Sequence, residues 1–70
     1  MEQTIQVHGE YLTLTQVLKE VGAIGTGGQA KWYLQDQTVQ VNGARETRRG
    51  KKLRVGDQVL LADGTLVSLV

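Results

Sequence analysis

Along this chain the spacing of apolar positions changes twice. "TIQVHGE" alternates through Ile5 and Val7 before Gly9, the period-two pattern of a short first strand. "YLTLTQVLKEVG" then sets Leu14, Val17, Leu18 and Val21 at i, i+3, i+4 and i+7, the stripe of an amphipathic helix. Thr13 with Gln16 three residues on spells a capping box, Leu12 can staple onto Val17, and Gly22 supplies a C-terminal stop. "AIGTGGQAKWYLQDQ" predicts a second helix beginning at Thr26, where Thr26 and Gln29 repeat the capping-box spacing. Ala30, Tyr33 and Leu34 form its inward face, and Gly28, Lys31, Trp32 and Gln35 share the outward one.

From Val39 the period returns to two. "VQVNGARE" puts Asn42-Gly43 between Val41 and Ala44, a hairpin signal in which both turn residues take positive φ. Gly56-Asp57 turns the chain again, and "QVLLADGTLVSLV" reads as a second hairpin around Asp63-Gly64. The order is strand, two helices, then strands. The predicted class is α+β, with two N-terminal helices packed on a small antiparallel sheet of four to five strands.

Composition narrows the picture. Seventy residues allow one domain, 1–70, whose core can bury only about 60% of the unfolded surface. The chain has no Cys, so disulfides and thiolate metal sites are excluded and a cytoplasmic location is expected. No stretch approaches the roughly 20 apolar residues of a membrane span. "MEQTIQVHGEYL" also lacks the basic start and apolar run of a secretory signal.

The net charge of +1 hides its distribution. Six of the eight Lys and Arg fall within "RETRRGKKLR": Arg45, Arg48, Arg49, Lys51, Lys52 and Arg54, opposed only by Glu46. The remainder of the chain carries two Lys against six acids. A solvated loop needs no such crowding, whereas a polyanion gains affinity by releasing condensed counterions to it. "TGGQAK" adds a second candidate. The first turn of a helix has unpaired N–H groups and a partial positive charge, and Thr26, Gly27 and Gly28 are small enough for a phosphate to approach, with Lys31 one turn on. A capped helix with a tight start requires the same residues, and the spacing of a P-loop is absent. Trp32 is expected to lie over the edge of the core, the other reading being a platform for a base.

Catalysis finds little footing. His8, the one histidine, lies on a predicted strand without an evident carboxylate partner, and Asp57 and Asp63 sit in turns where Asp serves local hydrogen bonding. No metal spacing and no nucleophile–base pair stands out. No cofactor, metal or catalytic residue is assigned, and a non-enzyme is expected.

"LTQVLKEVG", "TGGQAKWYL", "VQVNG" and "LRVGDQV", in this order from Thr13 to Gln58, cover about two-thirds of the chain. Together they resemble the S4 RNA-binding domain. "TGGQAKWYL" with "VNGARETRRGKKLRVGD" looks closer still to the short stand-alone S4-like proteins of bacteria, the YaaA/YbcJ type. The resemblance implies an S4-like αL motif, with the core motif at 13–58. It also implies an RNA surface on the outer face of the second helix and the hairpin that follows. Carried over by position, Thr26 matches the helix-start Ser/Thr, Lys31 a basic helix position, and Asn42, Gly43 and Arg45 the hairpin that meets RNA. Two positions depart from the pattern: Gly27 and Thr13 stand where the family often has Arg. Arg48, Arg49, Lys51 and Lys52 are expected to compensate. The implied partner is structured RNA, ribosomal or tRNA-like, in a ribosome or ribonucleoprotein. The protein itself is expected to act as a monomer without a membrane role. The alternative is an adaptor docking on an acidic partner in a ribonucleoprotein.

Overall fold

The structure, a computed structural model, describes residues 1–70. Its elements are β1 (Glu2–Ile5), β2 (Leu12–Thr13), α1 (Leu14–Glu20), α2 (Gln29–Asp36), β3 (Gln40–Val41), β4 (Ala44–Arg45), β5 (Lys52–Leu53), β6 (Gln58–Leu60) and β7 (Leu66–Leu69).

Helix α1 follows its sequence signals at both ends. The Thr13 hydroxyl accepts from the Gln16 N–H at 3.3 Å while the Thr13 N–H donates to Gln16 Oε1 at 2.8 Å, closing the capping box. At the other end Gly22 takes φ +78. Its N–H donates to the Lys19 carbonyl at 3.1 Å and the Ala23 N–H to the Leu18 carbonyl at 2.9 Å, the paired bonds of a Schellman stop. Between them Leu14, Val17 and Leu18 are fully buried.

Helix α2 begins at Gln29, three residues later than the sequence predicts. Only half of the expected capping box forms. The Gln29 Oε1 turns back to accept from the N–H groups of Gly25 at 2.6 Å and Thr26 at 3.2 Å, but the N-cap, Gly28, has no side chain with which to cap. The Gln29 and Ala30 N–H groups bond to the carbonyls of Thr26 and Gly27, three residues back, so residues 26–28 form a tight lead-in turn. Ala30 and Leu34 face the core as predicted.

Five strands form one sheet in the order β1-β7-β6-β3-β4. Asn42 at φ +51 and Gly43 at φ +87 turn β3 into β4, the geometry expected of Asn-Gly. The β6–β7 turn differs: the Leu61 N–H donates to the Thr65 carbonyl and the Gly64 N–H to the Leu61 carbonyl, and Gly64 alone takes positive φ, at +91. This is a three-residue loop with a glycine bulge.

Two expectations about the architecture need correction. The helices are not both N-terminal, since β1 and β2 precede them, and the sheet is mixed, not antiparallel. β1 runs parallel to β7, from Glu2 opposite Leu66 to Ile5 opposite Leu69. Further bonds from the Val70 N–H to the Ile5 carbonyl and from the Val7 N–H to the Val70 carbonyl extend this pairing. Parallel strands cannot be joined by a tight hairpin, and β1 and β7 are connected through the intervening helices and strands of the chain. β2 and β5 form a separate two-stranded sheet, Leu12 opposite Leu53 and Thr13 opposite Lys52. One aliphatic core unites these parts: Leu14, Val17, Leu18, Ala30, Leu34, Val39, Leu53, Val59, Val67 and Leu69 are at most 1% exposed.

Candidate nucleic-acid interface

The stretch between β4 and β5 owes its shape to two anchors. The first is Glu46, which is only 9% exposed. Its Oε2 accepts from the Thr47 N–H at 3.1 Å, the Arg48 N–H at 3.0 Å and Arg48 Nε at 3.0 Å, and its Oε1 from Arg48 Nη2 at 3.1 Å. The guanidinium bonds come first, with the backbone donors behind them, and together they lower the carboxyl from about 4.5 to about 2. The second anchor is the start of α1. The Arg49 carbonyl accepts from the Thr15 N–H at 3.1 Å and the Thr15 hydroxyl at 2.9 Å, and the Lys51 carbonyl accepts from the Leu14 N–H at 2.8 Å. Helix starts leave N–H groups without intrahelical partners, and here the basic loop itself supplies carbonyls for two of them.

The Arg49 and Lys51 carbonyls thus turn toward α1, while most of the loop's charged side chains are left in solvent. Arg45, Arg48, Arg49, Lys52 and Arg54 are exposed and Lys51 is half-buried. The Arg48–Glu46 contact, at 3.0 Å, is the only salt bridge in the molecule. Asn42, Arg45, Arg48, Lys51, Lys52 and Arg54 line an open concavity of about 800 Å³. Asp57 also borders it, but its carboxylate is occupied: it accepts from the Arg54 N–H at 2.7 Å and from Asn42 Nδ2 at 3.1 Å. Those bonds, the Arg54 N–H first, hold the Asp57 carboxyl below its usual range.

The candidate residues therefore divide. Arg45, Arg48, Lys51 and Lys52 share the concavity with Asn42, while Arg49 stands at the contact with α1. Asn42 also braces the turn. Its N–H donates to the Gln58 carbonyl, its Oδ1 accepts from the Gln58 N–H at 2.9 Å, and its amide nitrogen reaches Asp57. Gly43 supplies the positive φ of the same turn. Thr26, Gly27, Gly28 and Lys31 lie outside the concavity, and of these Gly27 is the one beside Thr15. A Cβ placed on Gly27 would stand 3.6 Å from Thr15 Cγ2, on the same side chain whose hydroxyl binds the Arg49 carbonyl. The N–H groups of Gly27 and Gly28 have no protein partner.

Trp32 lies on the outward face, as its spacing predicts, and is 64% exposed. Lys31 Nζ lies 5.6 Å from its ring centroid, and Lys52 Nζ lies 5.1 Å from that of Tyr11. Tyr11, Thr15 and Arg54 were absent from the sequence-based site. Arg54 was visible within the charge run. Thr15 and Tyr11 carry no local signal, because their neighbours come from 34 and 41 residues away along the chain.

The site is a basic concavity walled by the β3–β4 hairpin and the loop after it, with Thr15 standing between that loop and the start of the second helix. The S4 domain family matches residues 5–68, and the chain belongs to it. The match extends beyond the expected 13–58 motif, from the last residue of β1, Ile5, through three of the four residues of β7. The chain is also similar to the probable ribosome maturation protein RlbA of Bacillus subtilis (strain 168), with 46% identity over 59 residues, 84% of this chain and 83% of that protein.

Proposed function

We propose that the protein is a non-catalytic module that grips structured RNA, with ribosomal RNA its first candidate. The observation that carries this reading is the position of Thr15, which hydrogen-bonds the cationic loop and lies beside Gly27 at the start of α2. Arg45, Arg49, Lys51, Lys52 and Arg54 are unpaired cations beside this seam or in the adjoining concavity. They contact phosphates from the loop side; Gly27, Gly28 and Lys31 contact them from the helix side. Duplex RNA hides its major groove, so such a surface reads backbone position and shape. The similarity to a ribosome maturation protein directs attention to RNA of the assembling ribosome.

About four to six phosphate contacts fit this surface. Raising salt from 50 to 200 mM should then weaken binding on the order of 10²- to 10³-fold. Replacing Arg48, Arg49, Lys51 and Lys52 together by Ser should flatten that salt dependence while the fold persists. A folded variant with unchanged affinity places the site elsewhere. The same cations suit an acidic protein partner, and capture that survives nuclease treatment without RNA crosslinks would favour that second reading.

A further inference from the structure

The domain leaves its largest side chain in water. Fully buried positions are filled by Leu, Val and Ala, while Trp32, the only tryptophan, is 64% exposed. In a chain of 70 residues with a small aliphatic core, an indole on the surface forgoes stabilisation that such a domain needs. It lies on the outward face of α2, the helix whose start adjoins the basic loop through Thr15. Lys31 Nζ stands over one face of the same ring, 5.6 Å from its centroid, so a nucleotide whose base stacks on the opposite face has a cation close by for its phosphate. A base inside a continuous duplex has no free face to offer, whereas an unpaired base stacks readily on an aromatic side chain.

We propose that Trp32 is a stacking platform for one unpaired base. The ligand is accordingly an RNA duplex interrupted by an unpaired nucleotide, and not continuous duplex. This inference rests on the RNA reading above and specifies its ligand. Loop cations hold the flanking backbone, and α2 receives the extruded base.

Two RNA probes test it with the full chain: a continuous duplex, and the same duplex carrying one unpaired adenosine. Affinity is read by the anisotropy of labelled RNA, and stacking by the fluorescence of the single tryptophan. The bulged probe should bind more tightly and quench the indole. Trp32→Ala should lose on the order of tenfold in affinity for the bulged probe and little for the continuous one. Trp32→Phe should retain most of the preference. Because the indole is exposed, Trp32→Ala should melt near the native temperature, which separates lost stacking from lost folding. Equal binding of both probes without quenching, and a Trp32→Ala variant indistinguishable from native, overturn the stacking role alone. Failure of the native protein to bind either probe at low salt overturns the RNA reading and the inference with it.

Discussion

Glu46 offers the sharpest handle on how the basic loop is built. Glu46→Gln keeps the size of the side chain and one acceptor oxygen, but it removes the charge that holds the Arg48 guanidinium and two backbone N–H groups. A carboxyl that titrates at about 2 in the fold and near 4.5 otherwise would be worth about 3 kcal/mol if the whole difference were expressed. The Arg48 side chain is 74% exposed, so water screens much of that attraction, and about 1–2 kcal/mol is the realistic loss. For a domain of this size that lowers the melting temperature by roughly 5–15 °C at neutral pH. The pH dependence has a definite sign. Because the folded carboxyl titrates below the unfolded one, its contribution is complete above about 4.5 and disappears as pH falls toward about 2. Thermal melts of native protein and Glu46→Gln from pH 7 to pH 3 should therefore converge, with the gap roughly halved or less at pH 3. A gap that stays constant across that range, or no gap at pH 7, would refute the anchoring role.

Other perturbations separate bracing from binding. Asn42→Ala should cost about 2–3 kcal/mol, since it removes the side-chain bonds to Gln58 and Asp57 and places Ala at φ +51; denaturant titration measures it, and RNA affinity well below the melting temperature should hardly change. Thr15→Val removes the hydroxyl donor to the Arg49 carbonyl but keeps the N–H bond to it, so a loss of about 1 kcal/mol is expected, with faster hydrogen exchange in the loop. Raising salt should stabilise the native domain by a few degrees, because screening relieves repulsion among the loop cations, while RNA affinity falls. The fourfold Ser variant should show neither salt effect to the same extent, and parallel shifts in both proteins would count against cationic crowding as the cause.

The parts of the fold that were legible in the sequence are those whose information is local. Thr13 and Gln16 bond each other three residues apart, and Gly22 ends α1 through carbonyls in the preceding turn, so both ends of that helix were readable. The Asn42-Gly43 turn was readable for the same reason: its backbone angles exclude most other residue pairs. Parallel pairing of β1 with β7 joins opposite ends of the chain and leaves no spacing signature. The start of α2 was placed early because Thr26 looks like a cap, although the Gln29 amide in fact spans back to Gly25. The outward position of Trp32 was legible from its spacing along α2, and the structure leaves it exposed there. Of the site, the charge run was plain in the sequence. The pairing of Arg48 with Glu46, the bracing role of Asn42 and the seam at Thr15 depended on side-chain direction and tertiary contact.

Why the loop tolerates its own charge follows from how it is tethered. Six cations against one acid within residues 45–54 repel one another, each close exposed pair by up to about 1 kcal/mol in water. Neutralising them with internal salt bridges would order the loop but leave little charge for a polyanion. The structure instead orders the loop mainly through backbone. The Arg49 and Lys51 carbonyls accept from the first turn of α1, bonds worth about 0.5–1.5 kcal/mol each, and those carbonyl dipoles face the positive end of the helix. Only Arg48 gives up its charge to a partner, and Glu46 spends that contact fixing the start of the loop. The α1 terminus is thereby closed to an external anion, since the Leu14, Thr15 and Gln16 N–H groups are all taken. The loop side chains and the free N–H groups at the start of α2 are left to meet one. Order in the loop and charge on its surface come from different atoms, and so the domain can be rigid there without being neutral.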